Sequence, residues 1–164
     1  MTERVTERLD GDKAADLLGR ATSSVFAEMA FVDANPADAI PLGDGRRDDA
    51  PTRSAVIDVL APLSCRIELR MTVSLRDRIV DTLFADEPEE TRKKSADDAL
   101  LETLNVIAGE FLSSYFGAGT EIRLSLPRYL CEGETLPGET VAEARLDAEG
   151  EPLVATLASV RYRY

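Results

Sequence analysis

The sequence predicts an α+β domain in which helices, one of them long, pack on one face of a largely antiparallel sheet. Three observations lead to this fold class. The chain has 164 residues, 44% of them hydrophobic, which is enough for a single domain with a buried core. Apolar residues recur at helical spacing in two long segments and alternate with polar residues in shorter ones. These segments follow one another as helix, two strands, two helices and three strands, which is an α+β order.

The N-terminal part holds one amphipathic helix and a long loop. Asp12 or a neighbour is expected to cap a helix that runs to about Phe31, because apolar residues recur along one side of this segment. Residues 1–11 carry charges of both signs and are predicted to be a disordered tail. Residues 33–52 contain three prolines and two glycines among many aspartates, so an irregular loop is predicted there.

The middle of the chain is predicted to form a hairpin and a short helix. The β-rich residues 53–60 and the alternating residues 65–75 are two strands that a turn connects. Residues 76–84 place their apolar side chains on one side, which indicates a short amphipathic helix. The charged run 86–94 is predicted to be a solvated linker.

The longest predicted helix spans residues 96–116 and is followed by strands. Ser95 is expected to be its N-cap, with Asp98 three residues later in a capping-box arrangement, and Gly117 is expected to end it. Three further strands are predicted at 122–130, 139–146 and 153–164.

The charge balance excludes several classes of function. The chain carries 31 acidic and 19 basic residues, a net charge of −12, and it contains no histidine. Without histidine, Ser-His and Cys-His catalysis are excluded and the commonest transition-metal ligand is missing. The acidity argues against nucleic acid and anionic membranes as partners, because both attract basic surfaces.

The N-terminal sequence, the lengths of the apolar stretches and the two cysteines indicate the cellular compartment. The N-terminus has no apolar signal-peptide core, and no uncharged apolar stretch has the length of a membrane span. Cys65 and Cys131 lie far apart in apolar, strand-like runs, and we interpret them as reduced core cysteines, with one buried disulfide as the alternative. The cytoplasm is therefore the expected location.

The long helix has an unusual polar side. On a helical wheel, Asp98, Glu102, Asn105 and Gly109 lie within about 40° of one line, opposite the apolar side chains. Asparagine and glycine both disfavour a helix interior, so neither residue is explained by helix stability. The four residues form either a contact surface or an ordinary solvated helix face, and periodicity alone does not decide between these two interpretations.

A family resemblance favours the contact surface. Asp98-x3-Glu102-x2-Asn105, with Pro127 after a further 21 residues, resembles the signature of the CheC/CheX/FliY phosphatases of bacterial chemotaxis. The segments NVIAGEF at 105–111 and IRLSLPRYLCEG at 122–133 resemble the CheX form of this signature. The order of elements beyond residue 52 also fits that family, and Pro127 is assigned a structural role at the end of a strand.

The resemblance implies a mechanism and a set of partners. The substrate would be the aspartyl phosphate of a CheY-type response regulator, whose own divalent metal, Mg²⁺, makes a metal or cofactor on this chain unnecessary. Asn105 would orient the attacking water and Glu102 would pair with the regulator's lysine. Asp98 would support the edge of the contact, and Gly109 would leave clearance. CheX-like proteins form homodimers through sheet edges, and the strand at 153–164 is the expected site.

The first helix carries an incomplete copy of the motif, because Ser24-x3-Glu28-x2 arrives at Phe31 where asparagine would be required. One site per chain is therefore expected. Two alternatives stay open: a receiver-binding or flagellar-switch adaptor of the same fold without hydrolysis, and a self-associating domain whose polar stripe is only solvated.

Overall fold

The computed structural model describes residues 9–37 and 51–161, which form one antiparallel sheet with helices on one face. The helices are α1 Gly11–Val25, which continues as a π-helical turn Phe26–Ala30, α2 Val73–Leu83 and α3 Glu89–Phe116. The strands are β1 Ala34–Pro36, β2 Thr52–Ala61, β3 Cys65–Thr72, β4 Arg123–Leu124, β5 Arg128–Tyr129, β6 Glu139–Ala148 and β7 Glu151–Ser159. The predicted α+β class and the largely antiparallel sheet are confirmed.

The sheet order places the C-terminal strand in the interior. The order is β1-β6-β7-β3-β2-β4, with β5 also paired to β2, and every pairing is antiparallel. β7 pairs with β3 on one side and β6 on the other, so the expectation that strand 153–164 offers a free edge for dimerisation is wrong for its described part. The edges of the described sheet are β1 on one side and β4 with β5 on the other.

The core lies between the helices and one face of the sheet. Register places alternate residues of β2, β3, β6 and β7 on the same face, and their apolar side chains meet those of the three helices in one cluster. The approach of α1 to β6 is close: a Cβ on Gly19 would lie 3.4 Å from the Ala144 Cβ. A Cβ on Gly11 would lie only 2.8 Å from the Val141 carbonyl oxygen. Glycine at these two positions lets the helix backbone reach the sheet.

The N-terminal helix begins slightly earlier than Asp12 and ends close to the expected residue. Asp10 is the N-cap, with its Oδ1 accepting hydrogen bonds from the backbone N–H groups of Asp12 and Lys13. The predicted disordered tail 1–11 is wrong at its end, because Asp10 caps the helix and Gly11 is already helical. Residues 1–8 of that prediction lie outside the described part of the chain. The π-helical turn ends at Ala30, one residue before Phe31.

The predicted loop at 33–52 contains structure at both ends. Ala34–Pro36 forms β1 and pairs with β6, and β2 already begins at Thr52. A three-residue strand carries too short a pattern for alternation to reveal, so its partner β6 decides the conformation. Residues 38–50 of this prediction lie outside the described part of the chain.

The strand at 65–75 ends three residues earlier than predicted, and the helix placed at 76–84 begins three residues earlier. Thr72 is the last residue of β3 and also the N-cap of α2, with its Oγ1 accepting a hydrogen bond from the Leu75 N–H. Val73 is a β-former and extends the alternating pattern of the strand, but the cap at Thr72 starts the helix at this residue.

The predicted linker 86–94 is wrong from residue 89 onward. α3 begins at Glu89 after Pro88, so Ser95 lies inside the helix instead of capping it, and its hydroxyl donates to the Glu87 carboxylate at 2.8 Å. Two glutamates in the first turn complement the helix dipole, and arginine and lysine are good helix formers. The charges that suggested a linker thus form the solvated start of a helix.

The predicted strand at 122–130 is two short strands, β4 and β5, separated by a break at Ser125–Pro127. Cys131 follows β5 and is exposed, so its predicted place in the core is wrong; Cys65 is buried as predicted, and both cysteines are free. Burial, together with the nearby Asp58 carboxylate, raises the pKa of the Cys65 thiol to about 12.

Candidate functional site

One long helix positions all four residues of the candidate site. Leu100, Leu104, Ile107 and Phe111 of α3 are buried in the core. On the opposite side Asp98 and Glu102 are exposed, and Asn105 and Gly109 are partly exposed. We call these four residues the polar face of α3. At 1.5 Å per residue the face extends about 16 Å along the helix.

The polar groups of this face have no partner in the described part of the chain. The side chains of Asp98, Glu102 and Asn105 make no hydrogen bond or ion pair with any other residue at 9–37 or 51–161. A Cβ built on Gly109 would meet no atom within 4 Å. The face therefore offers two carboxylates, one amide and an open backbone position to a molecule approaching from outside.

Residues outside the motif hold the first turn of the face in place. The Asp97 carboxylate forms an ion pair with the guanidinium of Arg76, a buried α2 residue with 5% exposure. The Tyr129 hydroxyl of β5 donates a hydrogen bond to the Asp97 carbonyl at 3.1 Å. Burial first, and the Asp97 charge second, raise the pKa of Tyr129 to about 12, so its hydroxyl stays protonated. Helix α3 is thus attached to α2 and to the sheet edge one residue before Asp98.

Sequence reasoning missed this attachment. Arg76 and Tyr129 are far from Asp97 in sequence, and only the packing of α2 and β5 against α3 brings the three together. The sequence offers no local signal for it. In the structure, the Arg53 guanidinium of β2 also stacks on the Tyr129 ring, 4.5 Å from the ring centre.

The break between β4 and β5 is a bulge at the sheet edge. Leu124 lies opposite Val59, and Arg128 lies opposite Val56. Three residues separate the first members of these pairs, whereas only two residues of β2 separate the second, so the edge segment carries one extra residue. Ser125 forms hydrogen bonds with both backbone groups of Asp58. The Ser125 N–H donates to the Asp58 carbonyl at 2.9 Å, and the Ser125 Oγ accepts from the Asp58 N–H at 2.9 Å. Pro127 lies in the bulge, where no ladder bond requires an N–H group.

The segment after β5 is fixed by a charged pair. The Arg128 guanidinium donates two hydrogen bonds to Glu134, at 3.2 and 2.8 Å, and the Cys131 N–H donates to the same carboxylate at 3.0 Å. Hydrogen bonding from Arg128, and then from the Cys131 backbone, lowers the pKa of Glu134 to about 2.

The incomplete motif of the first helix is also exposed. Ser24, Glu28 and Phe31 all face solvent, and Phe31 is 71% exposed with a left-handed backbone, φ 55°. No amide stands beside Glu28 at the position that Asn105 takes beside Glu102. Within residues 9–37 and 51–161, no group of three or more acidic or cysteine side chains is arranged to hold a metal ion. In the same ranges no helix is long and apolar enough to cross a bilayer.

Comparison with known families gives one clear match. The sequence model of the family described as chemotaxis phosphatase CheX matches residues 53–144, more than half of the chain. The match includes all of α3 and its polar face, the bulge and most of β6. No curated protein sequence is significantly similar to the chain.

Several solved structures share the fold. A chemotaxis protein CheX from Desulfovibrio desulfuricans has a TM-score of 0.68 at 15% identity, with 88% of this chain and 97% of that one covered. A complex of CheX with CheY, BeF3 and Mg²⁺ from Borrelia burgdorferi has a TM-score of 0.64 at 17% identity, with coverage of 92% and 98%. The FliM middle domain from H. pylori has a TM-score of 0.54 at 11% identity, with coverage of 92% and 93%.

Proposed function

This chain belongs to the CheX family of chemotaxis phosphatases, and from that premise we propose that it accelerates hydrolysis of the aspartyl phosphate on a CheY-type response regulator. The observation that carries the proposal is the polar face of α3, where the Asn105 amide and the Glu102 carboxylate lie on one exposed side of a firmly held helix.

In this reaction the chain would contribute mainly the positioning of a water molecule. An acyl phosphate is already activated, and the regulator would carry the divalent ion, Mg²⁺, that neutralises the phosphoryl oxygens. A carboxamide both donates and accepts hydrogen bonds and carries no charge. We assign to Asn105 the role of holding the attacking water in line with the bond that breaks, which is a positional effect worth about 3 to 6 kcal/mol.

The other three residues of the face would bind the regulator. Glu102 lies one turn before Asn105 and would pair with the regulator's active-site lysine. Asp98 would extend that contact by one more turn. Gly109 would let the regulator's backbone approach, which agrees with the open space around its Cα.

The test is the rate of phosphate release from phosphorylated receiver domains. Asn105→Ala should lower the saturating rate by about two to four decades while leaving binding nearly unchanged, because it removes the water-positioning amide and no charge. Glu102→Ala should instead raise the half-saturation concentration. If Asn105→Ala releases phosphate at the parent's rate, the proposed mechanism is wrong.

A binding module of the same fold is the second candidate, and the likeness to the FliM middle domain favours it. In that case a receiver would bind the polar face and keep its phosphate. The same assay distinguishes the two candidates, because a binding module gives saturable binding with no acceleration of phosphate release.

We also propose a homodimer, for which β1 is the available sheet edge remote from α3.

A further inference from the structure

Leu126 is the most exposed large apolar side chain in the described part of the molecule. It is 90% exposed, compared with 71% for Phe31 and 48% for Leu60. A single exposed leucine needs no explanation in general. This one lies in a bulge beside α3, and its backbone is held on both sides.

The bulge presents Leu126 rigidly. Ser125 uses both backbone groups of Asp58, so Leu126 has no ladder partner on β2 and is displaced from the sheet edge. The Ser125 hydroxyl also donates to the Leu126 carbonyl at 3.2 Å, and Pro127 restricts the backbone that follows. Bulges of this kind redirect side chains near functional sites.

A residue count from the Tyr129–Asp97 hydrogen bond relates the position of Leu126 to the polar face. The chain leaves α3 at Phe116 and returns along the sheet edge, and Tyr129 reaches Asp97. Leu126 is three residues before Tyr129, or about 10 Å at about 3.3 Å per residue. For a helix that runs alongside the edge segment, the same distance along α3 corresponds to about seven residues, so the count points to the turn that holds Leu104 and Asn105.

Helix α3 and the bulge lie at the same end of the strand order. Helix α1 packs on β6 and β7, whereas α3 packs on β2, next to the edge formed by β4 and β5. Helix α3 is therefore the helix nearer to this edge. One partner that covers Glu102 and Asn105 would also reach Leu126.

We propose that Leu126 is an apolar anchor for the phosphorylated receiver domain, inserting into an apolar patch beside the receiver's phosphorylation site. This inference rests on the proposed function. A second copy of the chain is a poorer occupant, because contact through α3 and the bulge would bring Asp98 and Glu102 of two molecules together, each with net charge −12.

The experiment compares Leu126→Ser with Leu126→Met and with Phe31→Ser as a matched control. Phe31 is the other strongly exposed large apolar residue, and it lies near β1 at the opposite edge of the sheet. Phosphate release is measured against receiver concentration, with light scattering and a thermal melt on each variant. Leu126→Ser should raise the half-saturation concentration about tenfold with the saturating rate and melting temperature unchanged, as expected for one lost apolar contact.

Leu126→Met should behave like the parent in every measurement, and Phe31→Ser should keep the parent's half-saturation concentration and saturating rate, whatever its effect on contact between copies through β1. An unchanged half-saturation concentration for Leu126→Ser, while Asn105→Ala abolishes turnover, overturns the anchor and leaves the proposed function intact. A loss of dimer mass in Leu126→Ser without a change in receiver affinity assigns the leucine to contact between copies, and also overturns the anchor. Failure of the parent to act on or bind any receiver removes both proposals.

Discussion

Gly11 and Gly109 are both helical, and the structure gives them opposite surroundings. The position of a Cβ on Gly11 is already occupied by the Val141 carbonyl, whereas a Cβ on Gly109 would meet no atom within 4 Å. The sequence shows a glycine in a helix in both cases. Only the neighbouring elements decide whether that glycine is needed for packing.

The same substitution should therefore have opposite effects at the two positions. Gly109→Ala should raise the free energy of unfolding by up to about 1 kcal/mol, because alanine is the better helix former. Gly11→Ala should lower it by about 1 to 3 kcal/mol, because a backbone carbonyl cannot move aside easily. Urea denaturation of both variants measures these changes.

Gly109→Ala also tests the polar face. If a receiver backbone approaches there, the stabilised variant should bind the receiver more weakly than the parent does. Equal stability changes of the same sign at the two glycines would contradict the packing described for α1.

At the scale of the element, α3 shows why the site residues were predictable and their support was not. The wheel separates the polar face from Leu100, Leu104 and Phe111 by local spacing alone, and the structure keeps that separation. The first turns of α3, at 89–95, are not predictable from their composition, because a run of charges is equally typical of solvated coil. Neighbours Asp97 and Asp98 looked alike in sequence, yet one pairs with buried Arg76 and the other faces solvent.

These neighbours provide a matched pair of variants. Asp97→Asn should lower the free energy of unfolding by about 2 to 4 kcal/mol, because it leaves the buried Arg76 guanidinium with only the more distant and exposed Asp77 carboxylate, 3.9 Å away. Asp98→Asn, which removes an exposed carboxylate with no partner at 9–37 or 51–161, should change it by less than about 0.5 kcal/mol. Urea denaturation curves provide the comparison, and equal losses in the two variants would show that the ion pair does not hold α3.

At the scale of the whole molecule, the sheet order determines which strands are protected. β3 and β7 each have a hydrogen-bonded neighbour on both sides, while β1 and the β4–β5 segment are edges with two or three residues per strand. Edge strands open by local fluctuations, and interior strands open mainly when the whole domain unfolds.

Native-state hydrogen exchange should follow this order. The amides of β3 and β7 should exchange about a hundredfold or more slowly than those of β1 and β5, a difference of about 3 kcal/mol. A receiver domain should add protection on α3 and at the bulge. Exchange of β7 amides as fast as those of β1 would contradict the interior position of the C-terminal strand.

The sequence by itself determined the fold class, the long helix and the polar face with Asp98, Glu102, Asn105 and Gly109 on one side. These are properties of local periodicity, and 3.6 residues per turn places them whatever the neighbours are. Tertiary structure alone decided the interior place of β7, the support of Asp97 by Arg76 and Tyr129, and the bulge that displaces Leu126. Each of these depends on which distant segments pair, and pairing across the chain is set by burial and hydrogen bonding that no short window contains.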